Sequence, residues 1–394
     1  MKIVGVEIIP LTFEWKRVIE ESFGTVGKRE HDVVVKIVTD GGVSGLGEAM
    51  TLGPFYSGES QGTVTAIIAE EFAPKILLGE NPFNIDKIHF LMDKFCSGHS
   101  IAKTAVDEAL YDIMGKVLGV PVYQLLGGKY TEKIPLRWAI GIGKPEEMAA
   151  ETLMGIKVGY KAVKIKGGLS QKDDVASVKA IRKAVGDEIA ITMDINQSYD
   201  VKTAIRVIRA MEEHGIQLVE QPVHRKDLYG MAMVRKAVTT PIGACENALT
   251  IHELMDVIRM EAADFLNFKV SRSGGFYIGK QMVHAAEAAG ICVVGSTQLG
   301  MGIELAVNSH FHTSTMHLGQ PPYQYNGYGS GILKLFNAVD SKGITKDIVT
   351  GAPVIADGFL SVPERPGLGV ELNEENVNSY LTKGKSRYRI GEVR

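Results

Sequence analysis

Hydrophobic and polar positions along the chain fall into two textures. Residues 33 to 50, VVVKIVTDGGVSGLGEAM, set β-branched runs on both sides of Asp40-Gly41-Gly42, residue types that supply positive φ in tight hairpin turns. This predicts antiparallel sheet near the start. From Ile101 to Leu118 the apolar positions Ala102, Ala105, Val106, Ala109, Leu110, Ile113, Met114, Val117 and Leu118 recur at helical spacing, and Gly119 with Pro121 ends the pattern. After Gly127-Gly128 short β-rich runs alternate with longer helical stretches. The runs are 135 to 142, 161 to 166, 189 to 195, 216 to 221, 241 to 246, 264 to 270 and 291 to 296. Strands alternating with helices imply parallel βαβ units. Their spacing, roughly 20 to 28 residues, suits a barrel of about 250 residues built from eight units. The rival, a doubly wound open sheet, lacks a GxGxxG after its first strand.

The length of 394 residues changes this picture by making one domain insufficient, since single cores stop growing near ~250–300 residues. A large domain with a smaller companion is expected. Hydrophobic residues make up 45%, and 43 Lys+Arg nearly balance 46 Asp+Glu, so no basic surplus points to nucleic acid and no acidic surplus to disorder. Cys96, Cys245 and Cys292 lie far apart without a CxxC pair, which argues against a disulfide framework or structural zinc. No stretch approaches the ~20 apolar residues of a membrane span, and the opening segment has too short an apolar run for a signal peptide. The expectation is a cytoplasmic protein bound to neither membrane nor nucleic acid.

Four consecutive strands end in an ionisable residue, Lys166, Asp194, Glu220 and Glu246, and Lys269 stands near the end of the next. The steps are 28, 26, 26 and 23 residues. One βα unit advances the chain by one stave, so this period places all five side chains at the C-terminal rim, where barrel active sites lie. Taken singly, each has a plainer explanation. Asp194 suits a helix cap, Glu220 before Pro222 a strand end, Glu246 a helix start, and Lys161, Lys164 and Lys166 a solvated face. Their joint occurrence at one barrel period is what points to chemistry. Three converging carboxylates repel one another unless a cation or protons intervene. Hard oxygen ligands, with Asn196 close by and no His or Cys cluster, favour Mg²⁺, with Mn²⁺ as a substitute.

The segment Ile191, Asp194, Asn196, continued by Ala204, Met211 and Val219-Glu220-Gln221-Pro222, resembles the second signature of the mandelate racemase and muconate lactonizing enzyme group of the enolase superfamily. AKTAVDEALYDIMGKVLGVPVYQLLGG (102 to 128) resembles its first signature, with Thr104 where a smaller residue is usual. The resemblance covers nearly the whole chain. It implies an α/β fold, a modified TIM barrel (β/α)₇β with an α+β capping domain: residues 1–128 as cap, 129–365 as barrel, and 366–394 returning to the cap. It implies Mg²⁺ at Asp194, Glu220 and Glu246, a KxK motif at Lys164-Ile165-Lys166, and Lys269 as the second lysine of the muconate lactonizing branch. Where that branch usually has a third Asp, Cys245 stands, with Glu246 beside it; soft sulfur suits Mg²⁺ poorly, so Glu246 is taken as the ligand.

The implied chemistry is abstraction of a proton α to a carboxylate through an enediolate. Lys166 and Lys269 act as acid and base, and Lys166 is expected to have a pKa depressed by Lys164 and the metal. Racemisation or epimerisation of an N-substituted amino acid, or cycloisomerisation, leads. Dehydration of a hydroxy acid is the alternative, and a non-catalytic binding protein the remote one. Asn196, Gln298, Gln324, Trp138 and Tyr56 are the candidate substrate-binding residues. Gln298 and Gln324 stand where the branch usually carries acids, while Trp138, Tyr323, Tyr325 and Tyr328 offer aromatic faces to an apolar or cationic substrate. The segment from Glu20 to Gly27, with Tyr56, is expected to form a lid. A small-molecule carboxylate substrate and a homo-oligomer complete the expectation.

Overall fold

The computed structural model describes residues 1–15, 18–315, 338–339 and 346–393. The chain opens on a long strand β1 (Ile3–Trp15), followed by a small hairpin, β2 (Ile19–Glu21) with β3 (Gly24–Val26). Strands β4 (Glu30–Thr39) and β5 (Ser44–Glu48) make the second hairpin, closed at Asp40–Gly42, and β1, β4 and β5 pair antiparallel as the turn chemistry predicts. Gly42 takes φ 76 there. Helix Ser100–Leu118 lies on this sheet and ends at Gly119 in the left-handed conformation, φ 70, where the sequence places its stop. Two glycines set how closely it packs. A Cβ at Gly45 or Gly47 meets the helix carbonyls of Ala109 or Ala105 at 2.0 and 1.9 Å, distances no side chain survives. Near the other end of the chain, Tyr388–Gly391 adds an antiparallel strand to β1 and returns the C-terminus to this layer.

After a short strand β6 (Ile134–Pro135) come seven strands: β7 (Trp138–Ile140), β8 (Ala162–Lys166), β9 (Ala190–Asp194), β10 (Leu218–Glu220), β11 (Ile242–Ala244), β12 (Phe265–Phe268) and β13 (Cys292–Gly295). They form one parallel sheet in sequential order. Each falls inside one of the seven β-rich runs, and a helix follows each, from Pro145–Lys157 after β7 to Gly302–Thr313 after β13. Their aliphatic side chains join one large core, while the N-terminal layer holds a second around Ile8, Val35, Phe72 and Ile101.

Buried carboxylates fasten the two layers. Glu48, at the end of β5, accepts from the backbone N–H groups of Met301 and Glu304, the latter at 2.7 Å. Glu304 accepts in turn from the Gln298 N–H at 2.6 Å and the Ser271 hydroxyl at 2.7 Å. The cap is thereby fixed to the loops leaving β12 and β13. The β2–β3 hairpin also reaches the barrel, where the N–H of Ile142 donates to the carbonyl of Glu20 at 2.8 Å. Among the described residues no helix is long and apolar enough to cross a membrane.

Candidate active site

Parallel register brings the strand-end residues to one level. Lys166 lies opposite Asp194 across β8 and β9, and Asp194 opposite Glu220 across β9 and β10. Lys164 and Lys166 are two apart, so both point to the same face of the sheet. A chamber opens there, lined by Lys164, Lys166, Asp194, Asn196 and Lys269 from the barrel and by Glu21, Leu52 and Tyr56 from the cap. Asn196 (φ 47) and Gln221 (φ 40) adopt left-handed backbone just past their strands, the kind of strain that concentrates at functional sites.

One side of the chamber is a chain of ion pairs. Lys164 Nζ donates to Glu220 Oε2 at 2.6 Å and lies 3.0 Å from Asp194 Oδ2. Lys166 Nζ lies 2.9 Å from Asp194 Oδ2, 3.0 Å from Glu21 Oε1 and 3.1 Å from Asn196 Oδ1. Burial disfavours the charge on Asp194, but the ammonium groups of Lys164 and Lys166 outweigh it and hold the carboxyl well below the usual range. For Lys166, too, burial disfavours the charge, yet the carboxylates of Asp194, Glu21 and Glu220 together lift its pKa well above that of a free lysine. Lys164 alone does not produce the depressed value expected from Lys164 and the metal together. Three acids around the ammonium outweigh the neighbouring Lys164, and Glu21 arrives from a hairpin remote in sequence.

The other side is built around a phenol. Lys269 Nζ donates to the Tyr56 hydroxyl oxygen at 2.8 Å, and Arg272 Nη1 donates to the same oxygen at 2.6 Å. Arg272 Nη2 also donates to the carbonyl (2.8 Å) and sulfur (3.2 Å) of Cys245. Burial, followed by the nearby Arg272 charge, lowers Lys269 to about 8. Lys269, rather than Lys166, is therefore the lysine with a sizeable neutral fraction near neutrality.

Glu220, Cys245 and Glu246 bring a carboxylate oxygen, a thiol and a second carboxylate oxygen within 4.8 Å of one another, a group able to hold a metal ion. Asp194 is not one of this group; its Oδ2 lies between the two lysines and its Oδ1 accepts from the Asn196 N–H at 3.0 Å. Glu246 Oε1 accepts from Asn196 Nδ2 at 3.1 Å, whereas Oε2 is buried without a hydrogen-bond partner. An orphaned, buried carboxylate oxygen costs free energy unless something cationic meets it. Burial and the charges of Asp194 and Glu220 raise the pKa of Glu246. The carboxylates fit a hard divalent cation on this evidence. The Cys245 sulfur, buried and engaged by Arg272 and by Asn267 Nδ2 (3.5 Å), has its thiol pushed up to about 12.

Two expected substrate-binding residues are elsewhere. Trp138 is buried and packs edge-on against Tyr160, with ring centroids 5.1 Å apart, and lies against Gly155 of helix Pro145–Lys157. Its β7 neighbours Ala139 and Ile140 line the chamber instead. The strand directs the indole away from the chamber and into the core between sheet and helix. Gln298 is fully buried, and Ser296, Thr297 and Leu299 form that wall in its place. Gln324, Tyr323, Tyr325 and Tyr328 lie outside the described residues. Arg272 and Asn267, whose Nδ2 donates to Glu220 Oε1 at 2.6 Å, were missed. Asn267 is two residues before Lys269, a same-face signal that was legible; Arg272 depends on the 3₁₀ turn Val270–Arg272, which no spacing rule announces.

Comparison with known proteins settles the lineage. The family profile described as mandelate racemase / muconate lactonizing enzyme, N-terminal domain, matches residues 5–127, and the enolase C-terminal domain-like profile matches residues 147–376. The chain belongs to the mandelate racemase/muconate lactonizing enzyme family. It is 34% identical over 382 residues to N-succinyl-L-Arg/Lys racemase of Bacillus cereus, covering 96% of this chain and 97% of the relative. Muconate cycloisomerase 1 of Rhodococcus opacus is 32% identical over 351 residues, covering 88% and 90%. The solved dipeptide epimerase of Enterococcus faecalis V583, complexed with Mg and the dipeptide L-Leu-L-Tyr, superposes with a TM-score of 0.85 at 31% identity, covering 94% of this chain and 100% of that one. With these relatives the seven-stranded sheet is the modified TIM barrel of the enolase superfamily. The chain is an isomerase of this family, in keeping with the racemase, epimerase and cycloisomerase readings.

Proposed function

We propose that the chain racemises or epimerises an N-acylated amino acid by moving the α-proton between opposite faces of the carbon. The observation that carries this reading is the placement of Lys166 and Lys269. They line one chamber from β8 and from the end of β12, four staves apart, with Asp194, Glu220 and Glu246 on the staves between. Two proton-transfer groups across a single site suit exchange at a stereocentre.

Asp194, Glu220 and Glu246 are the residues to hold Mg²⁺, with Mn²⁺ as a substitute; the ion supplies Lewis-acid stabilisation of the charge that develops on the substrate carboxylate. Lys269, neutral in part near pH 8, takes the proton on its side. Lys166, ion-paired to Asp194 and Glu21, presents an N–H to the opposite face. Lys164 balances Asp194 and Glu220, and Tyr56 positions Lys269. Ile19, Phe23, Val26, Leu52 and Leu299 give the chamber an apolar wall that keeps water from the carbanion.

The test is incubation of optically pure N-acyl amino acids in D₂O with Mg²⁺, read by mass spectrometry and polarimetry. One-dalton uptake with loss of optical purity and no new product is expected. Loss of water instead indicates a lyase, and no deuterium uptake across the panel defeats the proposal.

A further inference from the structure

Barrel interiors are ordinarily filled by layers of branched apolar side chains. This one follows the rule in part: Leu218, two residues before Glu220, and Phe265, two before Asn267, join Val294 in a buried apolar cluster. Arg137 breaks it. The residue immediately precedes β7, and Ala139, two residues on, lies opposite Lys164 across β7 and β8. Strand alternation therefore sends the Arg137 side chain to the face that carries Lys164, one layer deeper in the barrel. It is only 2% exposed, and its Nη2 donates at 3.4 Å to the carbonyl of Gly295 on β13, the strand at the opposite end of the seven-stranded sheet.

A guanidinium does not shed its proton in a protein, so this is a permanent charge in the floor of the barrel. Its counter-charges stand above it. Burial disfavours the charge on Arg137, while the carboxylates of Glu220 and Asp194 favour it. Those two acids are the ones that Lys164 touches, at 2.6 and 3.0 Å, and Lys166 sets a second ammonium 2.9 Å from Asp194 Oδ2. Burial, Lys166 and Arg137 disfavour the charge on Lys164, yet Asp194 and Glu220 outweigh them. The two acids thus act under three cations of the chain's own. The lysines carry their ammonium groups on flexible stems and can turn aside when an ion enters. Arg137, enclosed in the core, keeps its charge in place.

We propose that Arg137 is a positioning residue whose fixed charge, one layer beneath Asp194 and Glu220, limits how tightly the carboxylates hold a divalent cation. This rests on the assignment of Mg²⁺ to Asp194, Glu220 and Glu246 above. A cation under the site subtracts from the attraction that the acids offer an ion, and salt screens that repulsion little between buried charges. A purely structural strut has the opposite signature, since its loss loosens the acids and weakens the site. The sign of the change in metal affinity therefore separates the two roles.

The experiment is calorimetry of the substrate-free full chain with Mg²⁺. Arg137→Met, which removes the charge and keeps a long apolar stem, is expected to bind Mg²⁺ about tenfold more tightly than the wild type. Arg137→Gln, which retains an N–H donor for the Gly295 carbonyl, is expected to move the same way and serves if a thermal melt shows the Met variant unfolded. Arg137→Lys keeps the charge and is expected to stay within a few-fold of the wild type. Unchanged or weaker binding in a folded charge-removing variant, or a Lys variant that binds as tightly as the charge-removing ones, overturns the proposal. Mg²⁺ binding by none of the proteins defeats the metal reading and the inference with it.

Discussion

Lys269 and Arg272 meet on one oxygen: both donate to the Tyr56 hydroxyl, at 2.8 and 2.6 Å. A lysine buried beside a permanent cation is easier to deprotonate, which is why Lys269 sits near 8. Exchange of the enantiomer whose proton faces Lys269 is expected to rise with pH through about 8, because the neutral amine accumulates above that value. Arg272→Met removes the second contribution after burial, so the midpoint moves upward, toward the ordinary lysine value of ~10.4. A pH profile of deuterium uptake for both proteins checks this, and coincident midpoints count against it.

The lysine pair divides the two enantiomers between them. Lys269→Ala is expected to lower exchange of one enantiomer by roughly 10²–10⁴-fold while sparing the other relatively, and Lys166→Ala the reverse. Racemisation fails in both, since each turnover needs both faces. Single-turnover exchange on each pure enantiomer reads the difference. If Lys166→Ala exchanges both at the wild-type rate, the role assigned to Lys166 is lost.

The metal prediction turns on two adjacent residues. Glu246 has a buried, unpartnered oxygen, while the Cys245 sulfur already accepts from Arg272. Glu246→Gln is expected to weaken Mg²⁺ binding by at least about 100-fold, more than the 10–100-fold typical of a residue that only orients a ligand. Cys245→Ser is expected to stay within a few-fold of wild type. Calorimetry with Mg²⁺ decides, and the opposite ranking assigns the sulfur to the metal.

Stability carries a signature of the cap. Asp32 in β4 is fully buried, and burial pushes its carboxyl up to about 6 despite the Val33 N–H that it accepts at 2.7 Å. The native state thus holds a proton that the unfolded chain releases at its ordinary, lower pKa. Stability from this group falls as pH rises through that window up to about 6. Asp32→Asn removes this component, so Tm is expected to fall less between pH 4.5 and 7 than in wild type. Glu48 and Glu108, also raised by burial, keep part of the slope.

Trp138 tests the reassignment from site to core. Trp138→Ala is expected to cost about 3–5 kcal/mol of stability, the usual range for emptying a buried aromatic site. KM is expected to change little, because Ala139, in register with Lys164, faces the chamber while the indole, one step away, packs against Tyr160 and Gly155. Denaturant melts alongside KM measure both. A large KM rise with full stability would return Trp138 to the substrate wall.

The sequence by itself determined the strand ends. Alternation of β-rich and helical runs fixes the order of staves, and a residue at the end of each stave is carried to the rim wherever neighbouring strands stay in parallel register, so Lys166, Asp194, Glu220, Glu246 and Lys269 were legible from their spacing. Periodicity specifies which residues share a level, but not what comes from outside the period. Glu21 crosses from a hairpin, Tyr56 from the short cap helix Pro54–Ser57 and Arg272 from a single 3₁₀ turn, and these contacts set the opposite pKa directions of the two lysines. The same limit explains Trp138 and Gln298: whether a residue beside the rim faces the chamber or the core depends on one step of strand alternation or one turn of loop. Only the tertiary structure decided those, because a pKa and a cavity wall are set by everything within a few ångströms, whatever its distance along the chain.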